Sequence, residues 1–263
     1  MSVVEAIILG IIQGITEFLP VSSSGHLELA QALFGNQNNS EGNLLFTIVV
    51  HGATALATIV VFRSDVWSIV RGLFQFTNNE SAQFSLRIVL SMFPAALIGY
   101  FFEDTISSQF FGNTLLVGLM LWITAGLLYI SDKSIQNRVN VSLLKAWWIG
   151  IAQAFAILPG ISRSGATIAI SLLLGVARDR AARFSFLMIV PLIFGSMAKK
   201  ILDGGLEQEV LNLTPILAGY VAAFFSGYLA CQWMIALVKR SQLRYFAYYC
   251  ALVGTIALVT SLV

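Results

Sequence analysis

The chain has 263 residues, of which 57% are hydrophobic and only 11% charged, and its formal net charge is +2. A soluble domain carries about 25% charged residues, so this sequence lacks the polar surface that a water-soluble shell requires, and its mean hydropathy of +0.83 suits lipid. The small net charge and the lack of any Lys/Arg-rich run exclude a nucleic-acid-binding role. Cys231 and Cys250 lie inside apolar stretches and read as small packing residues rather than a disulfide. The N-terminal segment MSVVEAIILG has no basic region and carries Glu5, which argues against a cleaved signal peptide.

In chain order, residues 1–35 are apolar and helical in pattern but are interrupted by TEFLPVSSSGH. Three apolar stretches follow, at 44–63, 84–102 and 113–131, each near the ~20 residues that cross a bilayer. Residues 143–175 repeat the interrupted pattern with LPGISRSGAT at the break, and three further stretches follow at 184–202, 213–238 and 245–263. The pieces flanking each break are short. Residues 163–175 as a helix reach only about 20 Å at 1.5 Å per residue, less than the ~30 Å hydrocarbon core. Pro20 and Pro159 break helices, and the Ser and Gly residues after them turn the chain. Both regions therefore read as re-entrant hairpins with tips near the midplane. Broken backbone at that depth needs cover from protein or a wet cavity.

The hairpins are copies. A shift of 140 residues aligns Gly10 with Gly150, Gln13 with Gln153, Ser22 with Ser162, Ser24 with Ser164 and Gly25 with Gly165, without a gap. Each hairpin precedes three spans, an odd number, so the second copy must be inverted. The expected fold is an all-α integral membrane protein in one domain, 1–263, with a first repeat at 1–131 and a second, inverted repeat at 143–263. Such repeats build midplane sites from broken helices.

Loop charges agree with this layout. One side receives twelve basic residues, among them Arg63, Arg71, Arg87, Lys133, Arg178 and Arg240, and the other only Lys199 and Lys200. The basic side is the expected cytoplasm. The first hairpin then enters from outside and the second from inside. Pro94 and Pro191 fall within spans and are expected to kink helices. Trp147, Trp148 and Tyr245 sit at expected boundaries as interfacial anchors. The cluster Arg178, Arg180 and Arg183 reads as topology and headgroup contact.

Ionisable groups at membrane depth mark function by default, and here they are Glu17, His26 and Arg163. His51, in the first span, reads instead as a packed, hydrogen-bonded histidine. Each hairpin's second half is a helix whose N-terminus points free N–H groups and a positive dipole end at the centre. Hydroxyls of Ser162, Ser164 and Thr167 add donors, and Arg163 adds a planar fork suited to phosphate. The expected ligand is a phosphate or pyrophosphate. Ser22, Ser23 or Ser24 is a candidate nucleophile with His26 or Glu17 as base; capping is the plain alternative for at least one serine. Gln13 and Glu17, four apart on one helix face, offer hard oxygens to a divalent cation.

QGITEFLPVSSSGH and PGISRSGAT resemble the two signatures of the bacterial undecaprenyl-diphosphate phosphatases linked to bacitracin resistance. The second motif matches at every fixed position from Pro159 to Thr167, and the resemblance covers essentially the whole chain. It implies hydrolysis of undecaprenyl pyrophosphate to the monophosphate at the outer face of the plasma membrane, recycling the lipid carrier for cell-wall synthesis. It also implies dependence on a divalent cation, Mg²⁺ or Ca²⁺, and leaves room for a homo-oligomer. By the resemblance, Ser23 is the nucleophile, His26 and Glu17 are required groups, and Arg163 binds phosphate. Ser22, Ser24, Gly25, Ser162, Ser164, Gly165 and Thr167 complete the phosphate site, with Gln13 and Glu17 at the metal. Gln13 departs from the Glu of many members; it cannot titrate, which removes an acid–base role there. Two other classes compete. A polyprenyl-phosphate transporter or flippase would use the inverted repeats without a nucleophile, and an intramembrane serine protease would leave Arg163 without a use.

Overall fold

The computed structural model describes residues 1–34, 40–75, 77, 79–110, 112–134, 139–202 and 213–262. Among these the chain is all α-helical, apart from one isolated bridge between Val139 and Val176. The helices are α1 (Val3–Phe18), α2 (Ser23–Leu33), α3 (Ser40–Val61), α4 (Arg63–Leu73), α5 (Glu80–Phe110), α6 (Thr114–Asp132), α7 (Leu143–Phe155), α8 (Arg163–Leu173), α9 (Arg178–Leu202), α10 (Leu213–Lys239) and α11 (Leu243–Leu262). Five of them, α5, α6, α9, α10 and α11, contain stretches long and apolar enough to cross a membrane. The pair α3–α4 passes the same test jointly but bends by 83° at Phe62. The chain is therefore a multi-pass membrane protein.

The interrupted regions form the short helices expected of them. α1 and α7 have 16 and 13 residues, and α2 and α8 have 11 each. An 11-residue helix is about 17 Å long, so neither α2 nor α8 can span a bilayer. α1 starts in a full capping box, Ser2 Oγ accepting from Glu5 N and Glu5 accepting from Ser2 N. Pro94 and Pro191 lie inside α5 and α9, as expected from their place in the spans.

One element was not anticipated. The 63–84 interval was expected to be a loop, yet α4 fills half of it. Its three charges in eleven residues hide a helical period: Arg63, Trp67, Val70, Arg71 and Phe74 share an exposed face, while Gly72 is buried. The opposite face is pinned by Arg183, which pairs with Asp65 at 2.5 Å and lies 5.3 Å from the Phe84 ring. At the same end of the bundle, Arg178 bridges Asp132, and Asp132 Oδ1 accepts Leu243 N at 3.1 Å, so one carboxylate ties α6, α9 and α11 together.

Helix–helix contact rests on glycine. Lipid gives apolar helices no hydrophobic reason to associate, so close backbone approach and dispersion must supply the attraction. α1 meets α10 along Gly10 and Gly14, a GxxxG pair, facing Gly219, Ala223 and Gly227. A Cβ on Gly10 would lie 2.3 Å from Gly219 O; one on Gly14 would lie 2.0 Å from Ser226 Oγ and 2.6 Å from Ala223 O. α7 meets α5 at the matching residue, since a Cβ on Gly150 would lie 2.4 Å from Ser91 O. α6 and α11 cross at Gly118 and Gly254, where a Cβ on either glycine would come within 2.9 Å of the other's carbonyl oxygen.

Gly14→Leu should separate α1 from α10 and remove the folded monodisperse species in detergent. Gly126→Ala, which meets nothing within 4 Å, should match or exceed wild-type stability because alanine is the better helix former by about 1 kcal/mol. Size-exclusion profiles across a heating series distinguish the two variants.

Candidate active site

The two breaks lie against one another. Ser22 adopts φ of +72° and Gly160 φ of +95°, turning the chain between the arms of each hairpin. Ser22 Oγ accepts Gly25 N at 3.3 Å, and Ser162 Oγ accepts Gly165 N at 3.0 Å, the same N-cap in both copies. In each copy the serine two positions on also approaches the cap, with Ser22–Ser24 at 3.4 Å and Ser162–Ser164 at 3.3 Å between hydroxyl oxygens. Both second glycines pack on the opposite break. A Cβ on Gly25 would meet Gly160 Cα at 3.3 Å, and one on Gly165 would meet Pro20 Cβ at 3.2 Å.

Carbonyls freed by the breaks find side-chain donors. Ser164 Oγ donates to Leu19 O at 3.2 Å, joining the hairpins. Thr124 of α6 donates to Gly160 O at 3.1 Å and accepts Ser162 N at 3.1 Å. Cys250 of α11 donates to Pro20 O at 3.6 Å. Thr167 Oγ1 donates back to Arg163 O at 2.9 Å within α8. Of the hydroxyls expected on the phosphate, then, Ser22 and Ser162 cap helices, Ser164 bonds across the hairpins, and Thr167 bonds within its helix.

Glu17 is the centre. Its side chain is 2% exposed. Oε1 accepts Arg163 from the other hairpin in an ion pair. Oε2 accepts Ser23 Oγ at 2.7 Å and Gln13 Nε2 at 2.9 Å. One carboxylate thus holds the serine hydroxyl and the guanidinium, its two oxygens dividing the work. Arg163 is less enclosed than Glu17, with 22% side-chain exposure against 2%.

The histidines divide differently from expectation. His26 does not serve as Ser23's partner; that place belongs to Glu17. Instead His26 Nδ1 lies 2.8 Å from Ser22 O and Nε2 2.8 Å from Tyr249 Oη. His51 is hydrogen-bonded as expected, with Nδ1 2.8 Å from Thr47 O, but its Nε2 also faces Glu17 Oε2 at 3.8 Å. His51, Thr124, Tyr249 and Cys250 were not picked out as site residues. None stands in a motif; each reaches the hairpins from a span whose sequence reads as ordinary membrane helix.

Gln13 Oε1 is buried and has no hydrogen-bond partner among the described residues. Of the three side-chain oxygens of the Gln13–Glu17 pair, it alone has no hydrogen-bond partner among the described residues. No group of three His, Cys, Asp or Glu that could hold a metal occurs among the described residues.

Residues 6–256 match the family described as bacitracin resistance protein BacA. The chain belongs to that family. Its relatives include the undecaprenyl-diphosphatase of Christiangramia forsetii, 54% identical over 259 residues and 98% of each chain. The undecaprenyl-diphosphatase of Bacteroides fragilis is 46% identical over 261 residues, covering 98% of this chain and 97% of its own. A more distant relative of the same name in Methanobrevibacter smithii is 35% identical over 278 residues, covering 100% and 99%. Similarity therefore runs through both hairpins and the spans around them.

The Glu17–Arg163 pair links the hairpins, and breaking either side leaves the other without its partner. Glu17→Ala and Arg163→Ala should each lower thermal stability in detergent, and the double variant should lose less than the sum. A coupling of about 1–3 kcal/mol is the expected scale for residues in direct contact; additive losses would show that the pair does not hold the hairpins together.

Proposed function

We propose that this protein hydrolyses undecaprenyl pyrophosphate to undecaprenyl phosphate and inorganic phosphate. The observation that carries the reading is Ser23 and Arg163 held on the two oxygens of one buried carboxylate, in a chain whose relatives bear that enzyme's name. A nucleophilic hydroxyl, a base already hydrogen-bonded to it and a cationic fork beside both are the parts that phosphoryl transfer requires.

In this mechanism Ser23 Oγ attacks the terminal phosphorus and its proton passes to Glu17 Oε2. The bond from phosphorus to the bridging oxygen breaks, and undecaprenyl phosphate leaves. Water then attacks the phosphoserine with His26 as base, the bond from phosphorus to Ser23 Oγ breaks, and Oγ recovers its proton from Glu17 as phosphate leaves. Arg163 stabilises charge on the transferred group through N–H bonds left free by Glu17. The free N–H groups opening α2 and α8 face the same anion. Gln13 and Glu17 would hold a divalent cation, Mg²⁺ or Ca²⁺. Gln13's unpartnered oxygen and the substrate's own oxygens fit a metal that binds through few protein ligands. Such an ion would neutralise charge on the diphosphate.

The same reading extends to topology. The chain forms two inverted repeats, 1–131 and 143–263, in the bacterial inner membrane, with α1–α2 and α7–α8 re-entrant from opposite sides and the site open to the periplasm. A mirrored contact supports it: Gly25 packs on Gly160, and at the shift of 140 Gly165 packs on Pro20. α4 then lies along the cytoplasmic interface, its exposed face of Trp67, Val70 and Phe74 meeting lipid while Arg63 and Arg71 snorkel from the same face to anionic headgroups.

Phosphate release from undecaprenyl pyrophosphate by the purified protein tests the function. Wild type should turn over, stop on chelation and recover with Mg²⁺. Ser23→Ala should lose roughly 100-fold or more, the scale of a lost positioned group, while still binding the lipid. Activity above about a tenth of wild type in Ser23→Ala would remove the serine from the mechanism. Binding and transbilayer movement without phosphate release in wild type would favour a transporter.

Orientation is read from single cysteines at Ser108 and Ser241, both exposed, in a chain whose own cysteines are buried. An impermeant maleimide on intact cells should label Ser108→Cys and spare Ser241→Cys; the reverse pattern inverts the topology.

A further inference from the structure

His26 is held on three sides, and only two of the holds come from its own hairpin. Its backbone N–H donates to Ser22 O at 3.1 Å, and Nδ1 lies 2.8 Å from the same carbonyl. A carbonyl oxygen only accepts, so Nδ1 carries the ring proton. In the neutral ring, Nε2 is then the nitrogen with the lone pair and the one available for proton transfer. The third hold is on that atom. Tyr249 Oη lies 2.8 Å from Nε2, and the two rings stack with centroids 5.6 Å apart and planes 12° from parallel. Tyr249 comes from α11, 223 residues away in sequence, beside the Cys250 that satisfies Pro20 O. Adjacent residues of one helix therefore support the turn and the second arm of the first hairpin.

A phenol suits this place because its hydroxyl is both donor and acceptor. With neutral His26, Oη–H donates to Nε2. Nε2 has one lone pair and the hydroxyl occupies it, so a proton from water reaches Nε2 through Tyr249: Oη–H passes its proton to Nε2, Oη takes the water's proton, and Oη then accepts the new N–H. The same atom at the same distance serves both states, and the imidazole need not move as it changes charge. Phenylalanine keeps the stack and does neither.

We propose that Tyr249 is a positioning residue for His26, its hydroxyl holding Nε2 in place through both protonation states so that His26 works through that nitrogen alone. The proposal rests on the phosphatase reading for its effect on turnover, but its geometric half stands apart from that reading.

The test is Tyr249→Phe in the full chain, read in two ways. Turnover of undecaprenyl pyrophosphate should fall about tenfold in kcat, with KM within about threefold. In parallel, diethylpyrocarbonate modification of His26, followed by peptide mass spectrometry, should speed up at least threefold, because Nε2 loses its cover. The chain has two histidines, so His51 on its separate peptide controls for general loosening and should keep its wild-type rate. ¹⁵N spectra of the wild-type protein in detergent should show neutral His26 with the proton on Nδ1. A proton on Nε2 overturns the proposal, as does an unchanged modification rate at His26 in Tyr249→Phe. Faster modification with wild-type kcat overturns the claim on catalysis. If wild type itself releases no phosphate, the phosphatase reading has failed, and the modification rates and tautomer still decide the contact.

Discussion

A carboxylate buried to 2% exposure is costly to hold unless its charge is paired and both its oxygens are hydrogen-bonded. Glu17 meets that condition only because two broken helices bring an arginine and a serine to it. Arg163 begins α8 and Ser23 begins α2, so both stand at breaks where a continuous helix would have carried them elsewhere. The interaction and the fold require each other. Without the breaks the partners cannot converge, and without the pair two charged groups would be stranded at depth.

The breaks in turn depend on neighbours. Interrupting a helix frees carbonyls and N–H groups that lipid cannot satisfy. The freed oxygen of Gly160 is taken by Thr124 on α6, and that of Pro20, its counterpart at a shift of 140, by Cys250 on α11. α6 and α11 are the last spans of the first and second halves, and they pack on each other at Gly118 and Gly254. Each last span therefore supports the other half's hairpin. Under the proposed inversion this is one relation written twice, and it explains how neither hairpin depends on its own half alone.

Much of this was legible in the sequence, and the limits were physical. Six apolar stretches and two interrupted ones reappear as α3, α5, α6, α9, α10, α11 and the two hairpins, because span length and Pro/Gly breaks are local properties. Glu17 and Arg163 stood out because charge within an apolar run has few other uses. α4 did not, since eleven residues with three charges resemble a loop until the turn at Phe62 shows which face is covered. Nor could Ser23's partner be settled. His26 is three residues on and within one helical turn, but Ser22's positive φ and the carbonyl it presents turn the imidazole toward α11 instead. Tyr249 and His51 were hidden for a related reason: a tyrosine and a histidine in membrane spans have ordinary anchoring and packing roles, and only the third dimension puts one on Nε2 and the other beside Glu17.

The two copies kept their turns and lost their equivalence. Gln13 and Gln153 correspond and both are buried, but the residue four positions on differs between the copies. For Gln13 that residue is Glu17, which accepts its amide at 2.9 Å. For Gln153 it is Ile157, which accepts nothing, and both amide atoms of Gln153 are without partners among the described residues. Ser23 and Arg163 likewise correspond. The hydroxyl and the guanidinium thus occupy matching places at facing helix starts, and only one copy has a carboxylate between them. Two hydroxyls would supply no positive charge for a diphosphate, and two guanidiniums no nucleophile. A duplicated turn can offer one of each across a short gap only if its copies diverge at that position, and a single carboxylate then suffices to orient both.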